Sequence, residues 1–264
     1  MRHQWKKVLL STILMMGITI MVYPLVAHTW NSFQQGEEVD LYYEKVETLP
    51  DEMSELLLQK AEQYNQDLYL SRQNRIDEGE YNRQMSFSDE GLMGVIEIPS
   101  ITVKLPIYHG TQERILIKGV GHIEYTSLPA GGINTHCVLS GHTGLPSGRL
   151  FTDLNNMNPG DVFFLYTCGQ KLVYEVESVK TVLPDAVDEF RIEEGRDLCT
   201  LVTCTPYGIN THRLLVKGHR IMEEIRQEEI EETVQSGIGI YVLVGTVLVC
   251  MIRIMKSLSH GKDG

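Results

Sequence analysis

LCTLVTCTPYGINTHRLLVKGHR, residues 198–220, reads as two apolar runs separated by a turn. The first run ends at Cys204, the second begins at Thr211, and the proline and glycine between them suit a change of direction. Antiparallel pairing of the two runs as strands would bring Arg213 close to Cys204. A guanidinium beside a sulfur favours the thiolate, so the hairpin predicts a nucleophilic cysteine. The alternative is a buried thiol that happens to lie on a strand.

Short apolar runs of this kind recur throughout residues 91–222. They cover residues 92–98, 101–107, 136–140, 161–166, 172–183, 198–204 and 213–221. Several alternate apolar and polar residues, and clusters of Gly, Pro, Asp and Ser separate them, which is typical of strands joined by turns. Many short strands predict a mainly β domain, either a barrel or a sandwich, with short helices inserted near 112–118 and 148–155.

Residues 31–90, which precede this domain, fall into three parts. Residues 31–49 are polar and acidic, and we interpret them as a linker. From Pro50 to Asn74, apolar residues recur near every 3.6 positions, which predicts an amphipathic helix. The remaining stretch, 75–90, is polar and is expected to form a loop.

Each end of the chain carries a long apolar stretch. Residues 8–27 are almost uncharged and long enough to cross a bilayer as a helix, for which about 20 apolar residues are needed. A cleaved signal peptide is the alternative, but no clear small-residue cleavage site follows, so we expect an uncleaved anchor over 1–30. The second stretch, 238–252, predicts a C-terminal transmembrane helix within 236–264, behind an acidic spacer at 223–235. A buried core helix is the alternative for this second stretch.

Charge is distributed unevenly along the chain, whose formal net charge is −12. Basic residues flank the two apolar stretches, whereas all acidic residues except Asp263 lie in 31–235. Because positively charged flanks stay in the cytoplasm, we expect a protein of the cell membrane with both termini inside and residues 31–235 outside. An acidic exterior domain also argues against nucleic acid as a partner.

A thiolate enzyme needs an acid to protonate its leaving group, and histidine serves best near neutral pH. Among nine histidines, His142 has the most suitable setting, because it follows an apolar run and lies between Gly141 and Gly144. We therefore predict that it is the catalytic histidine, the alternative being an ordinary surface residue. The chain has five cysteines but no Cys-x-x-Cys pair, so a structural zinc site or a disulfide framework is not favoured.

TLVTC, which ends at Cys204 and is followed by Arg213, resembles the signature of the sortases, exported cysteine transpeptidases of Gram-positive bacteria. Residues 93–110 and 119–161 resemble the pilin-polymerising class, called class C. The resemblance implies an eight-stranded β-barrel with Cys204 as the nucleophile, His142 as acid and base, and Arg213 as the group that binds the substrate backbone and the oxyanion. It implies no metal or organic cofactor, and we expect a monomer.

The reaction that the resemblance implies has two halves. The Cys204 thiolate attacks the Thr–Gly bond of a Leu-Pro-x-Thr-Gly-like sorting signal in a pilin or other surface protein, and the glycine side leaves as an amine. A lysine amine of the next pilin then resolves the thioacyl enzyme and forms an isopeptide bond. Two alternatives stay open: a sortase that attaches proteins to the cell wall through a peptidoglycan amine, and a non-catalytic pilus-assembly scaffold.

Many class C sortases carry a lid with an Asp-Pro-aromatic motif ahead of the barrel. The corresponding stretch here, YNRQMSFSD at residues 81–89, contains no Asp-Pro pair. Without the fixed φ of proline and an adjacent aspartate, residues 75–88 lack an obvious plug, although Phe87 could cover the thiol as an apolar cap. We predict a site with no lid or a loose one, and an accessible Cys204 thiol.

Overall fold

Helices precede a mainly β region in the computed structural model, which describes residues 2–71, 78–144 and 149–221. The predicted spacer, 223–235, and the predicted C-terminal transmembrane helix within 236–264 lie outside the described residues. Within the described parts of the chain, no helix combines the length and the apolar character that a membrane span needs. The α-helices are α1 (Arg2–Thr48), α2 (Asp51–Ser71), α3 (Glu78–Tyr81) and α4 (Glu113–Leu116), and 3₁₀ turns cover Pro99–Ile101, Leu154–Asn156 and Val187–Phe190.

Eight strands close into a barrel, which confirms the predicted mainly β fold. They are β1 (Leu92–Ile98), β2 (Val103–His109), β3 (Val120–His122), β4 (Thr135–Ser140), β5 (Val162–Thr167), β6 (Gln170–Val182), β7 (Asp197–Thr205) and β8 (His212–Ile221). Their order around the barrel is β1-β2-β3-β4-β7-β8-β6-β5, and the pairs β2–β3 and β4–β7 are parallel. The sequence pattern located every strand except β3, because its 3 residues are too few to show an alternation.

Helix α1 extends well beyond the apolar stretch near its start. It continues to Thr48, so the interpretation of 31–49 as a linker is wrong. Val39 and Tyr42, three residues apart on one face of the helix, are buried in the main core together with residues of the barrel. Tertiary packing of one face stabilises a helix more than intrinsic propensity does, which explains why this polar sequence is helical.

Helix α2 packs one face on the barrel, as the amphipathic pattern predicts. Its buried side chains, which recur at helical spacing, are Leu58, Ala61, Tyr64 and Leu68. Beside them, the buried Asn65 side chain accepts a hydrogen bond from the Leu128 amide (2.7 Å) and donates one to the Leu128 carbonyl (3.1 Å). The loop between β3 and β4 is thereby tied to the helix.

Strand β7 separates two apolar clusters, because successive side chains on a strand point to opposite faces. Leu201 points into the barrel and belongs to the main core. Val202 points outward and packs with Val138 of β4 and Leu215 of β8 in a second cluster. Cys204 lies two residues after Val202 and therefore at the end of the outer face of β7.

The stretch before β1 is described in part. Residues 72–77 lie outside the described residues, so the predicted absence of a lid stays a prediction. After them, Tyr81 and Phe87 are buried in the main core. Phe87 packs edge-on against Tyr42 of α1, with ring centroids 5.3 Å apart. This part of the stretch is therefore a layer of the core, and Phe87 serves there rather than as a cap on Cys204.

Candidate active site

The β7–β8 hairpin places Arg213 directly opposite Cys204. Its turn is short, since the Ile209 and Asn210 amides both donate to the Pro206 carbonyl, at 3.1 and 3.0 Å. A turn of fixed length sets the register of the strands that it joins. The pairing predicted from the sequence is therefore confirmed, and both side chains belong to the outer face of the barrel.

Backbone carbonyls hold the Arg213 guanidinium near this turn. Its Nη1 donates to the His212 carbonyl (3.1 Å) and to the Asn210 carbonyl (3.4 Å). A guanidinium has five N–H donors, so these contacts leave others for a substrate carbonyl or an oxyanion. A permanent positive charge next to a cysteine is also the setting in which a thiolate is stabilised.

His142 follows β4, the parallel neighbour of β7. The last aligned pair of these strands is Ser140 and Val202. The alignment continues one residue further, because the Gly141 amide donates to the Val202 carbonyl (3.0 Å). His142 and Cys204 each lie two residues beyond the aligned pair. The fold therefore brings both to the same end of neighbouring strands.

Gly141 is required by the path of this loop. A Cβ atom at this position would lie 2.7 Å from the buried Phe151 ring, so any side chain would clash. The Thr203 hydroxyl donates to the Gly141 carbonyl (2.7 Å), and the Phe151 amide donates to the His142 carbonyl (3.1 Å). These contacts fix the backbone on both sides of Cα of His142.

The rim of the barrel at this end is partly open to solvent. Cys204 is half-buried, and the His142 side chain is 24% exposed. Nε2 of His142 lies 3.3 Å from a carboxylate oxygen of Glu113 in α4. A thiol, an imidazole and a guanidinium thus share one accessible rim, and these are the groups that acyl transfer through a cysteine requires.

Comparison with known proteins identifies this arrangement. The sortase domain family matches residues 96–221. Sortase C from Clostridium perfringens, solved with the C-terminal cell wall sorting motif, is 45% identical with a TM-score of 0.63, covering 70% of this chain and 97% of that one. The chain belongs to the sortase family. Sortases are cysteine transpeptidases, and the resemblance read from the sequence around Cys204 is confirmed.

Two further relatives show how far this sortase resembles others. Sortase C from Streptococcus pneumoniae, whose structure was described for its catalysis and pilin substrate specificity, is 39% identical with a TM-score of 0.65, covering 70% of this chain and 97% of that one. Sortase A from Bacillus anthracis is 29% identical over 133 residues, 50% of this chain and 61% of that protein. The chain thus spans less than two thirds of this curated relative's length.

The other described cysteines of this sortase are buried. Cys137 and Cys199 are register partners on β4 and β7 and belong to the main core. Burial raises the pKa of Cys199 well above that of a free thiol, and the neighbouring Cys137 adds to the rise. Burial also raises the pKa of Cys168, to about 12. Among the cysteines that the structure describes, Cys204 is the one that a substrate can reach.

Glu113 lies at the rim of the sortase barrel and was not predicted from the sequence. Glu113 lies 29 residues before His142 in the chain, and no spacing rule connects the two. Their contact depends on the order β2-β3-β4 around the barrel, because α4 connects β2 to β3 while His142 follows β4. The catalytic roles of His142, Cys204 and Arg213 stay predictions, for which the shared rim is the geometric basis.

Proposed function

We propose that this sortase is a membrane-anchored cysteine transpeptidase that polymerises pilus subunits. The observation that carries the proposal is the direct pairing of Cys204 with Arg213 at the barrel rim, on the strand next to the one that leads into His142. A nucleophile, a proton-transfer group and an oxyanion-binding cation are the three components of covalent acyl transfer.

Each of the three side chains has a defined part in the proposed reaction. The Cys204 sulfur attacks the threonine carbonyl carbon of a Leu-Pro-x-Thr-Gly-like signal, and the Arg213 guanidinium donates hydrogen bonds to the oxyanion that forms. His142 protonates the glycine nitrogen as the Thr–Gly bond breaks, which leaves a thioester on Cys204. The neutral His142 then takes a proton from a pilin lysine, whose nitrogen displaces the sulfur and forms an isopeptide bond.

On the outer face beside the pair, Val138, Val202 and Leu215 form an apolar cluster that is almost fully buried, and the partly buried Phe190 packs against it. Because other side chains of the protein already cover this cluster, it supports the strands that carry the site. The Leu-Pro-x-Thr-Gly-like signal is therefore proposed from membership of the sortase family.

A pilin lysine is proposed as the acceptor amine on the strength of the sortase C relatives. The Streptococcus pneumoniae structure was described for its pilin substrate specificity. The Clostridium perfringens structure contains a C-terminal cell wall sorting motif, which supports a surface protein as the acyl donor. The same three side chains would serve a peptidoglycan amine, so acceptor recognition decides between pilus polymerisation and cell-wall attachment.

The proposal places the enzyme in the cell membrane with its barrel outside and both termini inside. Residues 8–27 and 238–252 are apolar and have basic residues on their outer flanks. Large apolar side chains of α1 are exposed, namely Ile13, Met16, Ile20, Tyr23, Val26, Trp30 and Phe33. Proteolysis of intact protoplasts should degrade the barrel and spare a tag on either terminus. Digestion of a C-terminal tag would exclude the second span.

Co-expression with a candidate pilin tests the reaction. We expect a covalent ladder of pilin multimers with the wild-type enzyme and none with Cys204→Ala, because the thioester requires the sulfur. Incubation of purified residues 31–235 with a sorting peptide and a wall-peptide amine separates the two acceptors. Transfer to the wall amine without a pilin ladder would indicate cell-wall attachment. No product with either amine would favour a non-catalytic scaffold.

A further inference from the structure

We propose that Glu113 is a positioning residue for His142, and this inference rests on the proposed transpeptidase function. Its carboxylate oxygen lies 3.3 Å from Nε2 of His142. A carboxylate can only accept a hydrogen bond, so the contact keeps a proton on Nε2. The opposite ring nitrogen, Nδ1, is then the one that exchanges protons with the leaving glycine amine and the incoming lysine.

The position of Glu113 is well defined because α4 is anchored to the barrel. Ile115, two residues after Glu113 in the same helix, is buried in the main core. Gly121 of β3 lies so close to the Gly110 carbonyl, at the end of β2, that a Cβ atom on it would be 2.2 Å from that oxygen. The two strands that α4 connects therefore approach each other closely, and Glu113 projects from a short, fixed connection toward the end of β4.

The chemistry of such a contact follows from the two states of the histidine. In the neutral state the ring carries one N–H, and holding it at Nε2 leaves the Nδ1 lone pair ready to accept a proton. In the protonated state an adjacent carboxylate stabilises the imidazolium. A third group that orients the base in this way is a general feature of nucleophile–base pairs. Glu113 touches the histidine and not the reacting atoms, so its role is positioning.

Several charged groups act on His142 at this rim. Glu113 reaches it from α4, while Cys204 lies on the neighbouring β7 and Arg213 opposite it on β8. Arg149, which follows His142 in the same connection, is ion-paired with Asp153. Glu113 is therefore the carboxylate in contact with the ring, and its removal leaves Arg213, the register partner of Cys204, as a cation at the same rim.

The test compares Glu113→Gln with Glu113→Asp and with Glu62→Gln, a matched loss of one exposed carboxylate on α2. With a fluorogenic sorting peptide, Glu113→Gln should lower kcat by about two- to fivefold and leave KM unchanged, the size expected for an ion pair whose carboxylate is largely exposed. Glu113→Asp should restore part of the loss, and Glu62→Gln should match the wild type.

A second readout keeps this proposal separate from the proposed function. The ¹⁵N resonances of the neutral His142 ring, recorded by NMR, should place its proton on Nε2 in the wild type and in Glu62→Gln, and that preference should be lost in Glu113→Ala, which has no acceptor for it. If Glu113→Ala keeps the same ring tautomer as Glu62→Gln, or if the kcat of Glu113→Gln equals that of the wild type, the positioning role is wrong. If the wild-type enzyme turns over no sorting peptide, the proposed function fails, and the ring tautomer by itself decides whether Glu113 holds His142.

Discussion

Two cysteine–histidine pairs lie in this barrel, one in the interior and one at the rim. In the interior, Cys137 of β4 neighbours His122 of the adjacent strand β3, and both side chains are buried. At the rim, Cys204 and His142 end neighbouring strands and remain partly exposed. The same two residue types thus occur together twice, but one pair forms part of the core and the other forms the candidate site.

The two pairs differ in how their polar atoms are satisfied. The Tyr81 hydroxyl donates to Nδ1 of His122 (2.8 Å), and Nε2–H of that ring donates to the Ser127 carbonyl (2.9 Å). These two contacts occupy both ring nitrogens, so neither is left to act on the Cys137 thiol. The His142 ring instead has one nitrogen on an exposed carboxylate and lies beside a thiol that faces Arg213. Access and a neighbouring cation therefore distinguish the candidate pair at the rim from the buried pair in the core.

Alanine at each cysteine tests this comparison most directly and gives the largest expected effect. Cys204→Ala should abolish covalent trapping by a sorting peptide that carries a chloromethyl ketone, because the adduct needs the sulfur. Cys137→Ala should keep the adduct and instead lower the free energy of unfolding by about 1 kcal/mol, a common cost for a point substitution. Mass spectrometry and urea denaturation measure the two outcomes. Loss of the adduct in a folded Cys137→Ala would reverse the assignment.

Alanine at His142 should give the next largest effect. We expect kcat/KM for a fluorogenic sorting peptide to fall by about 10²–10⁴-fold, the usual contribution of a general acid or base. The matched control is His212→Ala, since His212 is a partly exposed histidine at the same rim, next to Arg213. It should retain a rate near that of the wild type. Equal losses in the two variants would remove the case for His142 as the proton-transfer group.

These contrasts also show what the sequence could predict. Cys204 and Arg213 were predictable because they face each other across one hairpin, whose register a short turn sets. His142 was predictable from the glycines around it. Glu113 was not, because its contact depends on the closure of the barrel, which places α4 next to the end of β4 only after β3 has formed between them.

The fold was predictable to a similar degree and for similar reasons. Strands long enough to alternate were found from their pattern, whereas β3 has 3 residues and exists because β2 and β4 pair with it on either side. The helical part of 31–49 was missed because its polar composition hides the buried Val39 and Tyr42. In each case the element depends on a contact between distant parts of the chain, which local composition does not predict.

Acid should destabilise the fold through two other buried histidines, His109 and His136. Burial lowers the pKa of His109 from 6.5 to about 4, and burial also lowers the pKa of His136. Below pH 6.5 the unfolded chain therefore binds more protons than the folded chain. The stability that the neutral, buried histidine contributes is fully present above pH 6.5 and is lost as the pH falls toward 4. The free energy of unfolding should drop by roughly 1.4 kcal/mol per pH unit for each such histidine.

Urea denaturation of the wild type and of His109→Asn across this pH range measures that slope. Asparagine keeps an N–H for the Gly91 carbonyl, which lies 2.9 Å from Nδ1 of His109, but it does not titrate. The slope of the free energy of unfolding against pH should therefore fall in this variant by the contribution of one proton, roughly 1.4 kcal/mol per pH unit. An unchanged slope in His109→Asn would mean that this histidine accepts a proton without unfolding.

The smallest expected effect concerns access to the rim thiol. Removing everything before Asp89 would delete Tyr81 and Phe87, which are buried in the core, and so would test folding rather than access. Replacing 72–77 by a Gly-Ser segment of the same length leaves those contacts in place. Since residues 81–89 have no Asp-Pro pair to reach Cys204, we expect iodoacetamide to alkylate this thiol at the same rate in the wild type and in the variant with the replaced segment. Cys204→Ala gives the background alkylation.

A large acceleration of alkylation after the replacement would show that residues 72–77 cover the site. Reagents would then reach Cys204 only after a lid had moved. The rim pair would differ from the buried Cys137 pair both in its position and in having a lid that controls access.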